Sequence, residues 1–289
     1  MRFSEGPEFV KGHGTQNDFV VLPDPEGELK LTEAHVRALC DRQRGLGADG
    51  VLRVVPAAAV PDAPASVSPD VWFMDYRNAD GSLAEMCGNG VRVFARYLVE
   101  AGLAAEGAFD VGTRGGTKPV VTHPDGSSTV EMGPARIFGE SGTTVGQQRF
   151  RGLAVDLGNP HLACVTDQDI AGLDLTEVPP HDPELFPAGV NVEFVRRLGP
   201  DAVGGADRIR MRVHERGVGE TRSCGTGTVA AAVAALHAAG ARTGQRLVEV
   251  LGGSVQVEVT ERTTLLTGPA VLVGGGRLGV EWWRQAEIG

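Results

Sequence analysis

Two cysteines in this chain stand in the same short pattern, and that pattern favours a reactive sulfur. Cys87 is followed by Gly-Asn-Gly and Cys224 by Gly-Thr-Gly, and each lies between a turn and the beginning of a helical pattern. A cysteine at a helix N-terminus faces unpaired backbone N–H groups and the positive end of the helix dipole, which favour a thiolate over a thiol. The glycines leave backbone amides that a small anion can approach closely. The sequence therefore predicts two reactive thiols, each beside an anion site.

Two such thiols on opposite sides of one carbon are what a two-base racemase or epimerase needs. One thiolate removes the α-proton and the opposite thiol returns a proton to the other face, and an ordinary cysteine pKa of about 8.5 suits both tasks after a modest shift. Backbone N–H groups would stabilise the carboxylate of the carbanionic transition state, where losing one such donor typically costs about 10²–10³ in rate. No metal motif is visible, and the three lysines stand in no recognisable cofactor setting. We therefore expect neither a metal nor pyridoxal phosphate.

The cysteine patterns belong to a longer internal repeat. With the two cysteines aligned, Gly88 and Gly90 fall on Gly225 and Gly227, and a Gly-Gly-Thr segment at 115–117 falls on Gly-Gly-Ser at 252–254. Agreement over this span favours an internal duplication over a chance similarity of glycine-rich turns. We expect residues 1–131 together with 271–289 to form the first half, and residues 132–270 to form the second. The tail from Leu278 to Trp283 is expected to complete the sheet of the first half.

Length, charge and cysteine usage exclude several classes of protein. The 289 residues suit two domains, and 27 basic against 37 acidic residues give a net charge of −10, which argues against a nucleic-acid or anionic-membrane partner. The N-terminus lacks the apolar segment of a secretory signal, and no apolar run is long enough to span a bilayer. The four cysteines stand far apart without a CxxC motif, which fits neither a zinc site nor a disulfide framework. We expect a cytoplasmic protein.

Local patterns predict the elements that position the two cysteines. Residues 10–22 are typical of strand, loop and strand, with Asn17 and Asp18 in the loop, and residues 71–77 form a strand that leads to Asn78 and the Cys87 turn. Thr32 is expected to cap a helix that ends at Cys40. Residues 228–239 are apolar on nearly every side, which predicts a buried helix enclosed by sheet. Residues 198–207 are predicted to form a Gly/Asp loop.

Seven motifs, in order, resemble those of the diaminopimelate epimerase family, and together they span nearly the whole chain. They are His13-Gly-Thr-Gln-Asn-Asp-Phe, Asn78-Ala-Asp-Gly, Cys87-Gly-Asn-Gly, Gly158-Asn-Pro-His, Asn191-Val-Glu, Glu215-Arg-Gly and Cys224-Gly-Thr-Gly. The resemblance implies a cofactor-independent isomerase that interconverts LL- and meso-diaminopimelate for lysine and peptidoglycan synthesis. It also implies an α/β (α+β) fold of two pseudo-symmetric domains, each a mostly antiparallel barrel-like sheet around a central helix, with the active site in the cleft between them. A homodimer is expected.

The resemblance also implies roles for particular residues. Cys87 and Cys224 match the acid/base pair, and His161 and Glu215 match groups that tune the cysteines. The backbone cradle for the reacting carboxylate corresponds to Gly88, Asn89, Gly225 and Thr226. The groups that hold the polar ends of the substrate correspond to Asn17, Asn78, Asn159, Asn191, Glu215 and Arg216. Arg216 suits a bidentate bond to a carboxylate, and Glu215 can accept a hydrogen bond from an ammonium group.

Two positions depart from the family pattern, and three alternative interpretations remain open. Gly50 stands where some members of the family carry a substrate-contacting glutamine, and His214 replaces a common aromatic residue. A proline or hydroxyproline racemase would have histidine where Asn89 stands and would lack Glu-Arg-Gly. A non-enzymatic binding protein on the same scaffold would be expected to lose a cysteine, and both are present. His161 could instead be a surface loop residue. Cys40 and Cys164 are expected to be ordinary buried thiols.

Overall fold

The computed structural model of the chain describes residues 5–200 and 207–287. Most of the predicted Gly/Asp loop (201–206) and the first residues of the N-terminus lie outside the described residues. Strands dominate the described chain and helices are few, so the predicted α+β class is confirmed. The chain divides into two compact units, one made of Met1–Val130 with Pro269–Gly289 and the other of Glu131–Gly268.

The described residues form seventeen strands, four α-helices and one short 3₁₀ helix (Ala57–Ala59). The strands are β1 (Glu5–Gly14), β2 (Asn17–Pro23), β3 (Gly50–Pro56), β4 (Trp72–Asn78), β5 (Ala108–Thr113), β6 (Gly116–Thr122), β7 (Ser127–Gly133), β8 (Arg136–Val145), β9 (Gln148–Asp156), β10 (Pro160–Thr166), β11 (Asn191–Pro200), β12 (Asp207–Glu215), β13 (Gly219–Thr221), β14 (Gly244–Val250), β15 (Gly253–Val259), β16 (Thr264–Pro269) and β17 (Val271–Gly279). The helices are α1 (Glu33–Cys40), α2 (Gly88–Glu100), α3 (Gly225–Ala238) and α4 (Val280–Ala286). None of the described helices combines the length and apolar character needed to cross a bilayer.

In the first unit, one run of eight strands surrounds helix α2. Neighbouring strands follow the order β17–β1–β2–β3–β4–β5–β6–β7, and only the β2–β3 and β4–β5 pairs are parallel. Helix α2 contacts β1, β2, β3, β4, β6 and β17, and its side chains from Val91 to Ala95 are buried. The sheet therefore holds α2 in place and fixes the direction of its N-terminus.

The second unit is built in the same way around α3. Its strands follow the order β8–β9–β10–β11–β12–β14–β15–β16, and only the β10–β11 and β12–β14 pairs are parallel. Helix α3 packs against β9, β10, β11, β12, β14 and β15, and every residue from Gly227 to Leu236 is buried. The prediction of a buried helix is therefore confirmed.

Both units repeat the same succession of strand pairs. From one edge to the other, each run reads antiparallel, antiparallel, parallel, antiparallel, parallel, antiparallel, antiparallel. The short strand β13, which pairs with β12, is an addition in the second unit. The sequence repeat is thus matched by a repeat of topology, with α2 and α3 in equivalent places.

The C-terminal tail was predicted only in part. Strand β17 does complete the first unit's sheet, because it pairs antiparallel with β1 from Glu5 opposite Gly279 to His13 opposite Val271. The residues that follow were wrongly included in a strand, since they form helix α4. The Trp283 ring stacks on His35 of α1 at 3.9 Å between ring centroids. The helix therefore packs the two tryptophans against the core beside α1.

Candidate active site

Cys87 and Cys224 cap the two central helices. Each has an extended backbone conformation, and each sulfur accepts a hydrogen bond of 3.4 Å from a backbone N–H one turn into its helix, at Gly90 and Gly227. The predicted position at a helix N-terminus is therefore confirmed for both. The first residues of the helices, Gly88 and Gly225, carry no side chain, so a small anion could approach both helix N-termini closely.

The expectation that this position favours a thiolate is wrong for Cys224. Burial raises the pKa of this thiol well above its usual value, and the charges of Glu215 and Glu193 act in the same direction. The Gly227 N–H and the Thr226 side chain lower the pKa, but by less. Desolvation therefore outweighs the helix terminus, and Cys224 rests as a thiol.

The other two cysteines are buried thiols, as expected. Burial raises the pKa of Cys40 to about 12, and burial also raises the pKa of Cys164. Neither caps a helix: Cys40 ends α1 and Cys164 lies within β10.

Around Cys87 the side chain of Asn17 is held by an acidic partner. The Asn17 Nδ2 donates to Asp49 Oδ2 at 2.7 Å, which leaves Asn17 Oδ1 to accept from Asn89 Nδ2 at 3.2 Å and from the Cys87 Sγ at 3.7 Å. Asn17 and Asp18 were predicted in a loop, but they begin strand β2, because the hairpin turn takes only Thr15 and Gln16. Asp49, which no motif indicated, thus orients the amide that meets Cys87.

The hairpin turn before Asn17 is strained and is held by a buried arginine. Thr15 and Gln16 have positive φ angles of 49° and 62°, a conformation that is costly for a β-branched residue. Arg92, which is 0% exposed, donates to Thr15 Oγ1 at 3.1 Å, to Asn89 Oδ1 at 2.5 Å and to the Pro269 carbonyl at 2.7 Å. Burial lowers the pKa of Arg92 to about 10. Arg92 therefore ties the turn and the first turn of α2 together.

We expect Arg92→Leu to lower the free energy of unfolding by about 3 kcal/mol or more, because each buried acceptor left without its donor costs about 1–3 kcal/mol. Urea denaturation followed by circular dichroism measures this change. The matched control is Arg96→Leu, one turn further along α2, which removes a partly exposed ion pair with Glu100 and should cost less than about 1 kcal/mol. Equal losses for the two variants would contradict the assigned role of Arg92.

In the second unit a chain of polar side chains leads to Cys224. His161 is 0% exposed in β10, so the alternative of a surface loop residue is wrong. Its Nδ1 lies 2.6 Å from Glu193 Oε1, and its Nε2 lies 3.1 Å from Asn159 Oδ1. Asn159 Nδ2 donates to Thr226 Oγ1 at 3.4 Å, and Thr226 Oγ1 lies 3.6 Å from Cys224 Sγ. Four hydrogen bonds therefore connect a buried carboxyl group to the sulfur.

Asn191 organises the loop that carries Arg216. Its Nδ2 donates to the Pro160 carbonyl at 3.0 Å, and its Oδ1 accepts from the Arg216 backbone N–H at 3.0 Å. The Arg216 guanidinium donates to the Ala188 carbonyl at 3.1 Å, and Glu215 accepts a hydrogen bond from the Thr221 hydroxyl. The side chain of Asn191 therefore supports the loop backbone.

Three further residues singled out in the sequence lie at or near strand ends. Asn78 ends β4, and its Nδ2 donates to Ser82 Oγ at 3.0 Å. A Cβ atom at Gly50, which begins β3, would lie 2.6 Å from the Arg77 carbonyl oxygen, so a side chain there requires a backbone shift. His214 is buried in β12.

Comparison with known proteins decides the family. The sequence profile described as diaminopimelate epimerase matches residues 9–138 and 153–273. The diaminopimelate epimerase of Rhodococcus opacus is 54% identical over 290 aligned positions, which cover 96% of this chain and 98% of that protein. The enzyme of the same name from Mycolicibacterium smegmatis is 56% identical, covering 95% of this chain and 98% of that protein. The chain belongs to the diaminopimelate epimerase family. The resemblance drawn from the seven motifs is thereby confirmed.

Solved structures show that the fold of this family member extends to other enzymes. A phenazine biosynthesis protein of the PhzF family from Bacillus anthracis has a TM-score of 0.67 at 15% identity, covering 96% of this chain and 99% of that one. A hydroxyproline epimerase from Agrobacterium vitis has a TM-score of 0.62 at 17% identity, covering 97% and 94%. At such identities the likeness concerns the fold alone.

Sequence reasoning missed two side chains of this site. Glu193 is the one acidic residue in the apolar run from Val190 to Val195, and a charge in such a run is itself a signal of function. Asp49 had no comparable signal, because a Gly-Ala-Asp-Gly segment is typical of any turn. Both act on predicted site residues, Glu193 on His161 and Asp49 on Asn17.

Proposed function

We propose that the chain interconverts LL- and meso-diaminopimelate, with Cys87 and Cys224 as the acid/base pair. One observation carries the assignment of the pair: the two cysteines cap the equivalent central helices of two units with the same strand topology, in a member of this family. Each sulfur accepts a backbone N–H bond at the same distance, so each is equipped to hold negative charge for part of the reaction cycle.

In the proposed reaction the deprotonated cysteine takes the α-proton and becomes a thiol. The other cysteine gives its thiol proton to the opposite face of the same carbon and becomes a thiolate, and the roles reverse in the opposite direction. The two sulfurs would therefore act on opposite faces of the same α-carbon. Backbone N–H groups at Gly88, Asn89, Gly225 and Thr226 would stabilise the carboxylate as negative charge develops on it.

We assign the distal amino-acid head of the substrate to the polar side chains that the family motifs single out. Arg216 would exchange its bond to the Ala188 carbonyl for a bidentate bond to the distal carboxylate, and Glu215 would accept from the distal ammonium group. Asn191 supports this loop from beneath through the Arg216 backbone. The remaining contacts are assigned to Asn17, Asn78 and Asn159.

The family and the net charge also bear on cofactors, pathway, compartment and assembly. We propose that the reaction needs no metal or organic cofactor and serves lysine and peptidoglycan precursor synthesis in the cytoplasm. A homodimer is proposed as the assembly. The net charge of −10 supports a protein that does not bind nucleic acid or anionic membranes.

Deuterium exchange tests this function directly. The protein, treated with a chelator and without pyridoxal phosphate, is incubated in D₂O with LL-diaminopimelate or with L-proline, and isotope content and stereochemistry are followed by NMR and chiral chromatography. We expect deuterium at the epimerised α-carbon and formation of the meso isomer with diaminopimelate, and neither change with proline. Activity on proline alone would favour the racemase alternative, and exchange that disappears after chelation would contradict a cofactor-independent reaction.

A further inference from the structure

The side chains packed beneath the N-termini of α2 and α3 differ in chemistry, although the strands that carry them have the same topology. A Cβ atom built on Gly90 would lie 3.3 Å from Leu52 Cδ2 and 3.6 Å from Phe19 Cζ. A Cβ atom built on the equivalent Gly227 would lie 2.6 Å from Glu193 Oε1. The registers of the parallel β2–β3 and β10–β11 pairs place His161 and Glu193 where the first unit has Phe19 and Leu52. An apolar pair beneath one cysteine is thus an ionisable pair beneath the other.

Glu193 and His161 share a proton. Both side chains are 0% exposed, and a separation of 2.6 Å between Oε1 and Nδ1 requires a hydrogen between the two atoms. The other carboxyl oxygen, Oε2, has no hydrogen-bond partner among the described residues, so a full negative charge there would be poorly solvated. Burial raises the pKa of Glu193 to about 7, against the opposing effect of His161. Below about pH 7 the carboxyl group therefore keeps this proton and donates it to Nδ1.

This proton sets the direction of each following hydrogen bond in the series from Glu193 to Cys224. Because Nδ1 accepts, the ring hydrogen of His161 lies on Nε2, which donates to Asn159 Oδ1. Asn159 then presents Nδ2 to Thr226 Oγ1, whose hydroxyl hydrogen is left to point at the Cys224 sulfur. The last group of the series, the Thr226 hydroxyl, therefore donates to the Cys224 sulfur. At Cys87 the bond runs the other way, since the thiol donates to Asn17 Oδ1.

We propose that Glu193 is a positioning residue that fixes the direction of this hydrogen-bond chain, so that Thr226 donates to Cys224 whenever Cys224 is a thiolate. The proposal rests on the acid/base role assigned to Cys224 above. The donor counters the desolvation that keeps Cys224 protonated at rest, and the opposite bond at Cys87 suits a thiol. The two cysteines are therefore chemically inequivalent, because a hydrogen-bond donor faces the sulfur of Cys224 and an acceptor faces that of Cys87.

Several ionisable groups face Glu193 from the elements packed around it. His161 and Cys164 belong to β10, Glu215 ends β12, and Cys224 caps α3. The charge of Glu215 favours the protonated form of Glu193. When the pH rises above about 7, Glu193 loses its proton, the first donor of the chain disappears, and the new charge opposes the ionisation of Cys224. We expect the basic function of Cys224 to weaken in that range.

Substitutions at Glu193 in the full chain test this role. The measured quantities are the rate of alkylation of Cys224 by iodoacetamide between pH 6 and pH 9, with Cys87 as internal reference by peptide mass spectrometry, and the kcat and KM for diaminopimelate. Glu193→Gln keeps a donor to Nδ1, so we expect Cys224 alkylation within about twofold of wild type at pH 7 and no weakening above pH 7. Glu193→Leu, which copies the first unit, should slow Cys224 alkylation at least about tenfold and lower kcat with KM and Cys87 unchanged.

A variant at the Cys224 end of the hydrogen-bond series keeps the test independent of any effect of Glu193 substitutions on folding. Thr226→Val replaces the hydroxyl with a methyl group of similar size, so it should slow Cys224 alkylation as Glu193→Leu does. The double variant should be no slower than either single variant. Unchanged alkylation in Glu193→Leu or in Thr226→Val would overturn the proposal, and so would an equal loss in Glu193→Gln and Glu193→Leu. Epimerisation that survives in Cys224→Ser would instead refute the acid/base role of Cys224, whatever the alkylation rates show.

Discussion

Replacing either helix-capping cysteine with serine should lower the rate of epimerisation by about 10³-fold, within the range of about 10²–10⁴ that general acid–base catalysis contributes. Serine differs from cysteine only by oxygen in place of sulfur and can accept the bonds from Gly90 or Gly227, so the helix caps should survive. What serine lacks is a proton that leaves near neutral pH. The rate of conversion of LL- to meso-diaminopimelate, followed by chiral chromatography, measures the loss.

A buried cysteine provides the control for this loss. Cys40→Ala removes a thiol in α1 that caps no helix, and its activity should stay within about twofold of wild type after correction for the folded fraction. A Cys87→Ser or Cys224→Ser variant that epimerises at nearly the wild-type rate would show that the reaction needs only one thiol. The two-base assignment would then fail.

Arg216→Ala should weaken recognition of the distal carboxylate by about 2–5 kcal/mol, which corresponds to at least about thirtyfold in kcat/KM for diaminopimelate. The loss is large because the backbone of Arg216 is already fixed by Asn191, so the guanidinium is presented without much further ordering. Steady-state kinetics with LL-diaminopimelate measures it. Arg216→Lys should recover only part of the loss, because an ammonium group lacks the planar fork.

The control for Arg216 is an arginine from the same region of the second unit. Arg222 donates to the Leu251 carbonyl at 3.1 Å, and Arg222→Ala should change kcat/KM by less than about threefold. A second comparison uses a shorter monocarboxylic amino acid, whose slow α-proton exchange should be nearly insensitive to Arg216→Ala. Equal losses for the dicarboxylic and monocarboxylic compounds would show that Arg216 does not bind the distal carboxylate.

Features of the site that depend on local sequence could be predicted. The turn, cysteine, glycine and helix order places Cys87 and Cys224 at helix N-termini without reference to distant residues. The same holds for Thr32, whose hydroxyl accepts from the His35 N–H at 3.2 Å in a capping box. Hydrogen bonds within one helical turn can be predicted because both partners belong to the same short sequence motif.

Features that depend on strand register could not be predicted. Glu193 meets His161 only because β10 and β11 pair in parallel with His161 opposite Asn191, and no local pattern fixes that register. Arg92 follows the helical period of a polar face, yet it is buried because the hairpin turn and the Pro269 carbonyl satisfy it from elsewhere in the chain. The pKa of Cys224 likewise depends on burial, which outweighs the helix terminus that the sequence shows.

The pairing of β17 with β1 has a consequence for how the protein is made. The second unit is one uninterrupted segment, Glu131–Gly268, so all of it has been synthesised before β17 exists. The first unit needs a strand that is translated after the whole second unit, since β17 provides a partner along nearly the whole length of β1. The first unit therefore cannot complete its sheet until the whole second unit has been synthesised, which departs from the usual N-terminal-first order of folding on the ribosome.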